Sequence, residues 1–269
     1  MAVIALQSAS SALNALNTQL DVIANNLANV NTTGYKASRA NFEDLLYIER
    51  QQPGVENANG DQRPTGLYVG LGVKVSGTQQ TFDQGSPEQT ANDLDFMIEG
   101  RGFFQVGVED NLADGAIAYT RAGNFSLNAD GEIVLANSNG RRLLPIITVD
   151  PDATKIDVTV DGRIFAEIPG DADPTEIGQL QLATFVNPAG LRQLGENLWG
   201  ESAASGPPIT GNPAEDNRGR VYNRMLERSN VDPTRELINL ITTQRAFEMN
   251  SQSIRAADET LRAVGQLRR

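Results

Sequence analysis

The chain has 269 residues, 22 Lys and Arg against 34 Asp and Glu for a formal net charge of −12, and neither His nor Cys. The two absences exclude His-based nucleophiles, HExxH zinc sites, thiolate chemistry and disulfides, and none of Lys36, Lys74 and Lys155 has the preceding Ser of an SxxK dyad. Paired carboxylates are the main catalytic chemistry left, in a chain long enough for one large or two modest domains with real cores.

The clearest periodicity comes first. Ala2, Leu6, Ala9, Leu13, Leu16, Leu20, Ile23, Leu27 and Val30 alternate steps of four and three, which predicts a helix with a heptad seam. Its other positions are mostly Ser, Asn, Gln and Thr. Asn25, Asn26, Asn29 and Asn31 each cost up to ~0.7 kcal/mol relative to Ala in a helix, so this one depends on burying its seam. Gly34 suits a helix terminator. The apolar start is interrupted at Gln7, well short of a membrane span, and the first basic residue is Lys36. Neither membrane insertion nor a cleaved secretory leader is expected.

Gln51 to Gly66 is rich in Gln, Pro, Gly, Asn and Asp and reads as irregular, within an extended arm or linker over 45–70. Residues 71–214 read as a β-rich domain of short strands. Ile156 to Val160 alternates with period two, and Leu180 to Val186 does so less cleanly. Phe103–Val106, Ile117–Tyr119, Phe125–Leu127 and Ile133–Leu135 are short apolar runs. Asp114-Gly115, Asp130-Gly131 and Asp161-Gly162 are hairpin signals between them. A second irregular stretch, Gly200 to Gly219, contains an expected return linker at 215–219.

Toward the C-terminus, Asn230 or Asp232 can cap a helix, with Pro233 in its first turn. Leu240, Thr243, Phe247, Asn250, Ile254, Ala257, Leu261 and Val264 again step by three and four, and two polar members suit register fixing. Some thirty-five helical residues would span roughly 50 Å. The expected fold is therefore α+β. Residues 1–44 and 220–269 form a helical polymerisation domain, paired as a coiled-coil-like inner layer, and an all-β domain of antiparallel strands lies between them. Leu13, Leu16, Leu20, Ile23, Leu27, Val30, Leu240, Phe247, Ile254 and Leu261 are the candidate interface residues. Charge divides along the same lines: residues 51–217 carry nine basic and 24 acidic groups, whereas 218–269 carry ten Arg and six acids. An acidic body argues against a nucleic-acid partner.

No chemical site stands out. Asp93, Asp95 and Glu99 cluster, but in so acidic a stretch neighbouring carboxylates arise by chance. Gly70-x-Gly72 and Gly100-x-Gly102 lack the third glycine of a dinucleotide loop, and Asn128-Ala-Asp130-Gly131 is better read as a turn than a calcium loop. No catalytic residue, metal or cofactor is expected.

Ala24-Asn-Asn-Leu-Ala-Asn-Val-Asn-Thr-Thr-Gly-Tyr-Lys36 closely resembles the N-terminal signature of bacterial flagellar rod and hook axial proteins, carried by Asn25, Asn26, Leu27, Asn29, Asn31, Thr33, Gly34 and Tyr35. Ser229 to Leu237, Thr243 to Ser251 and Ala257 to Leu261 look like that family's C-terminal helix. Gly85 to Phe96, Glu99 to Val106, Tyr119 to Phe125, Leu182 to Leu191 and Ala203 to Pro207 are similar to its distal-rod members, as are the chain length and the arm. Asp232 to Glu236 is more polar than the family's helix start. The resemblance implies a structural subunit of the basal body, exported without a cleaved leader by the flagellar export apparatus. It would form a helical homopolymer spanning the periplasm towards the outer membrane, with the terminal helices around the export channel. The implied neighbours are proximal rod and hook proteins axially and ring proteins laterally. Another rod or hook-type subunit is the alternative within the family, and a glycan hydrolase using Asp93 or Asp95 the alternative outside it.

Overall fold

A computed structural model describes residues 2–54, 64–109, 112–169 and 173–267. Helix α1 spans Ala2–Ala28 and helix α2 spans Pro233–Leu267, with twenty short strands between them among the described residues. The described chain divides into two units. The first contains Met1–Ala28, Ser38–Gln79 and Asp232–Arg269, and the second contains Asn29–Ala37 and Gln80–Val231.

In the first unit α1 and α2 pack against each other. The start of α2 explains its polar sequence. Asp232 is the cap, its Oδ1 accepting from the backbone N–H of Thr234 at 3.0 Å and Arg235 at 3.3 Å, ahead of Pro233 and Glu236 in the first turn. Asn230, the other candidate cap, belongs to the second unit.

Within the expected arm, 47–51 and 67–70 are strands, while 45–46, 52–54 and 64–66 are irregular. Tyr47–Gln51 pairs antiparallel with Leu67–Gly70, and Ser38–Asp44 forms a two-stranded sheet with Val73–Gln80. The runs Tyr-Ile-Glu-Arg-Gln and Leu-Tyr-Val-Gly supply the aromatic and β-branched residues that suit strands. Asn57, Asn59, Gly60 and Asp61 of this stretch lie at 55–63, outside the described residues.

The second unit is antiparallel β. Its main sheet runs Arg192–Gly195, Leu198–Gly200, Ile117–Thr120, Phe103–Gly107, Leu182–Thr184, Ile209–Gly211, and Leu143–Leu144 adds to Phe103–Gly107. Each Asp-Gly pair turns between antiparallel partners. At Asp130-Gly131 the turn needs a glycine at φ +76°, and Asn128 Oδ1 accepts from the Asp130 and Glu132 N–H groups at 2.9 and 2.8 Å, so the calcium-like motif is an Asx turn. Alternation along the strands separates two cores. Phe104, Val106, Phe125, Ile133 and Leu182 fill one; Phe103, Tyr119, Phe185 and Trp199 form the other, joined edge to face.

This unit is larger than expected. It begins at Asn29 and ends at Val231, so the boundaries at 44, 71, 214 and 220 move. Arg220–Asn223 and Met225–Glu227 are strands, paired with Phe96–Glu99 and Pro87–Gln89. Val221, with no exposed surface, draws the first of these into the core. The expected linker 215–219 is folded too, held by Ala214 N–H to Gly219 O at 2.9 Å and by the buried Arg218.

Candidate assembly interface and its anchoring cluster

The described first unit has almost no core of its own. Its only fully buried residues are Ala15, Ile23, Asn26 and Thr243. Among the seam residues Leu13, Leu16, Leu20, Leu27, Leu240, Phe247 and Ile254 are only partly covered, and so is Val30, which falls in the second unit. The covered line on α1 passes through Ala15, Ile23 and Asn26 rather than along the leucines, because a lone pair of helices can cover just one stripe of each. Leu261 has no described side chain. Beyond the seams, Leu237, Ile238, Ile241 and Met249 on α2 are 46, 57, 48 and 62 % exposed, and the ribbon exposes Leu46, Tyr47, Ile48, Leu67 and Tyr68. Apolar side chains on a two-stranded ribbon and a two-helix layer form the kind of patch that marks an interaction surface.

The signature residues do a different job. Asn26 is buried and donates from Nδ2 to Ser38 O at 2.8 Å while its Oδ1 accepts from Ser38 N–H at 2.9 Å, which fixes the returning strand on α1. Partly covered Glu236 sits within reach of Asn26, and its partial burial raises its carboxyl pKa despite that hydrogen bond. Thr33, Gly34 and Tyr35 lie in the second unit. Thr33 O accepts from Asn197 Nδ2 at 3.1 Å, and Gly34 N–H donates to Glu227 O at 2.8 Å. Gly34 has φ +69°, and a Cβ there would lie 2.6 Å from Ala122 N. The remaining signature residues, Asn25, Asn29 and Asn31, flank this turn of chain.

Next to Gly34 is a buried ion cluster that the sequence reading missed. Lys36 is wholly buried; its Nζ donates to Glu227 Oε1 at 2.6 Å and to Asp83 O at 2.8 Å. Glu227, 1 % exposed, also accepts from Gly85 N–H at 2.8 Å and from Arg121 Nη1 at 3.4 Å. Arg121 donates further to Ile98 O and Gly100 O, lies 5.3 Å from the centroid of the Phe103 ring, and leaves its buried Nε without a partner. Burial pulls the Lys36 ammonium and the Arg121 guanidinium below their usual pKa values, and Glu227 pulls both back up. In sequence, the only hint was a lone lysine inside the signature.

Both candidate carboxylates are engaged by neighbouring side chains. Asp93 is bound by Arg224 Nε at 2.7 Å and Asp95 accepts from Asn92 Nδ2 at 3.0 Å. No group of side chains able to hold a metal ion occurs among the described residues, and no helix among them is long and apolar enough to cross a membrane.

Three family models match the chain: flagella basal body rod protein over residues 6–36, flagellar hook protein FlgE/F/G D1 domain over 97–166, and flagellar basal body rod FlgEFG protein C-terminal over 222–267. The chain is 45 % identical to the flagellar basal-body rod protein FlgG of Agrobacterium fabrum over 97 % of its length and 98 % of the relative's. It is 42 % identical to that of Caulobacter vibrioides over 98 and 99 %. It is also 31 % identical to the flagellar hook-basal body complex protein FlhP of Bacillus subtilis over 97 and 98 %.

Proposed function

Because the chain belongs to the flagellar basal-body rod protein family, a family of structural subunits and not of enzymes, we propose that it polymerises into the distal segment of the rod. In this reading α1 and α2 form a coiled-coil-like inner layer around the export channel, and the tube transmits motor torque to the hook. Its partners are further copies of itself, proximal rod and hook proteins at either end, ring proteins around it, and the export apparatus that delivers it across the periplasm.

One observation carries the proposal: among its described residues, a unit of two long helices and a ribbon buries only four while exposing apolar side chains on both helix and ribbon. Isolated helices are marginal in water, and repeated contacts between neighbours supply the burial that one chain lacks. Head-to-tail contacts of this kind generate helical filaments when they do not close. The acidic body suits the outside of such a tube, facing a modestly basic ring lumen across a screening length of about 8 Å.

Hydrogen exchange tests the reading. Amides of α1 and α2 should exchange fast in the monomer and slowly in the filament, while Phe104 and Ile164 are protected in both. Helix ends protected as strongly as the β unit in the monomer would show that assembly adds nothing to them. The similarity to FlhP keeps a second axial position within the same family as the alternative, and labelling of isolated basal bodies distinguishes the two.

A further inference from the structure

The chain passes between its two units at Ala28/Asn29, Ala37/Ser38, Gln79/Gln80 and Val231/Asp232. On the β side, the segments next to these crossings are bound to one another. Thr81 N–H donates to Ala37 O at 2.8 Å, and Ala37 N–H donates to Asn230 Oδ1 at 2.7 Å. Asn230 Nδ2 reaches Thr81 O at 2.8 Å and Asp83 O at 3.1 Å, and Arg228 N–H donates to Ser86 O at 3.0 Å. At the centre lies the buried cluster of two cations and one carboxylate, contributed by Lys36, Arg121 and Glu227.

We propose that this cluster is a clasp that closes the β unit and gathers in one place the segments from which α1, the ribbon and α2 depart. Lys36 and Glu227 are 191 residues apart, so their meeting closes a very long loop. Burying Lys36 and Arg121 without Glu227 would leave two uncompensated charges, which makes closure unfavourable until the last strand of the unit arrives. The clasp thereby makes presentation of both terminal helices conditional on a complete β unit. This last step rests on the rod reading; the clasp itself does not.

The charge count sets an unusual order of effects for variants of the full chain. Glu227→Gln leaves two buried cations and no anion. Lys36→Met leaves the neutral Arg121–Glu227 pair. The double variant leaves one cation, so it should be milder than Glu227→Gln although it carries an extra substitution. In hydrogen exchange, amides of 34–37, 81–86 and 227–231 should speed up by a factor on the order of 100 in Glu227→Gln, about tenfold in Lys36→Met, and by an intermediate factor in the double variant. Amides of Phe104, Ile164 and Leu182 should remain protected.

A double variant worse than Glu227→Gln, or Lys36→Met exchange like wild type, would overturn the clasp. So would a Glu227→Gln chain that opens throughout or does not fold, because the cluster would then be inseparable from the core. Pelleting of filaments is scored alongside: Glu227→Gln should pellet less than wild type, and equal pelleting removes the coupling to assembly. Failure of the wild-type chain to pellet would instead count against the rod reading and leave the exchange order intact.

Discussion

Replacing Ile238 and Ile241 of α2 with Gln separates assembly from folding. Both side chains lie in the first unit and are 57 and 48 % exposed in the single chain. Full burial of such a side chain contributes about 1.5–3 kcal/mol, so roughly half of that, about 0.8–1.5 kcal/mol each, remains for a neighbouring subunit to supply. Losing both should weaken each subunit's addition by about 1.5–3 kcal/mol, which at about 1.4 kcal/mol per tenfold raises the critical concentration on the order of 10- to 100-fold. Gln ranks with Leu and Met among helix formers, so α2 keeps its propensity, and because both positions lie outside the β unit, the thermal transition of that unit in the monomer should match the wild type. Sedimentation at graded concentrations gives the critical concentration, and thermal unfolding of the monomer gives the control. An unchanged critical concentration, or a β unit that melts lower, would refute the reasoning.

Deleting residues 51–63 tests whether the arm stiffens the polymer: filaments should become bendable, and unaltered straight filaments in electron micrographs would dismiss the idea. Gly34→Ala combines a left-handed φ with a Cβ driven to 2.6 Å from Ala122 N, and should destabilise the β unit by about 2–4 kcal/mol; a urea midpoint within error of wild type would contradict it. Burial, with a smaller contribution from Glu201, raises the Tyr119 phenol from 10.0 to about 12. The folded state therefore holds this proton more tightly, so the stabilisation is complete below about pH 10 and is lost as the pH climbs through about 12, a change of roughly 2–3 kcal/mol. Tyr119→Phe should lack that share of the alkaline loss, and identical pH profiles for the two proteins would disprove it.

Where neighbours along the chain decide the outcome, the sequence was sufficient. The period of the two seams announces α1 and α2. Asp232 and Pro233 start the second helix, and Asp130-Gly131 turns its hairpin, because caps and tight turns are made by residues within four positions of one another. The same locality misled at 47–51, 67–70 and 220–227, where runs of three to five strand residues are too short for a period to show; their partners, Leu67–Gly70 and Phe96–Glu99 among them, decide that they are strands.

Tertiary structure alone determined which stripe of α1 is covered and what the signature is for. Asn26 holds Ser38 across twelve residues, and Lys36 meets Glu227 across 191. Nothing in the local pattern distinguishes that lysine from a solvated one. Its partner is selected by the cost of leaving a charge buried and unpaired, a penalty that exists only once distant segments have come together and excluded water.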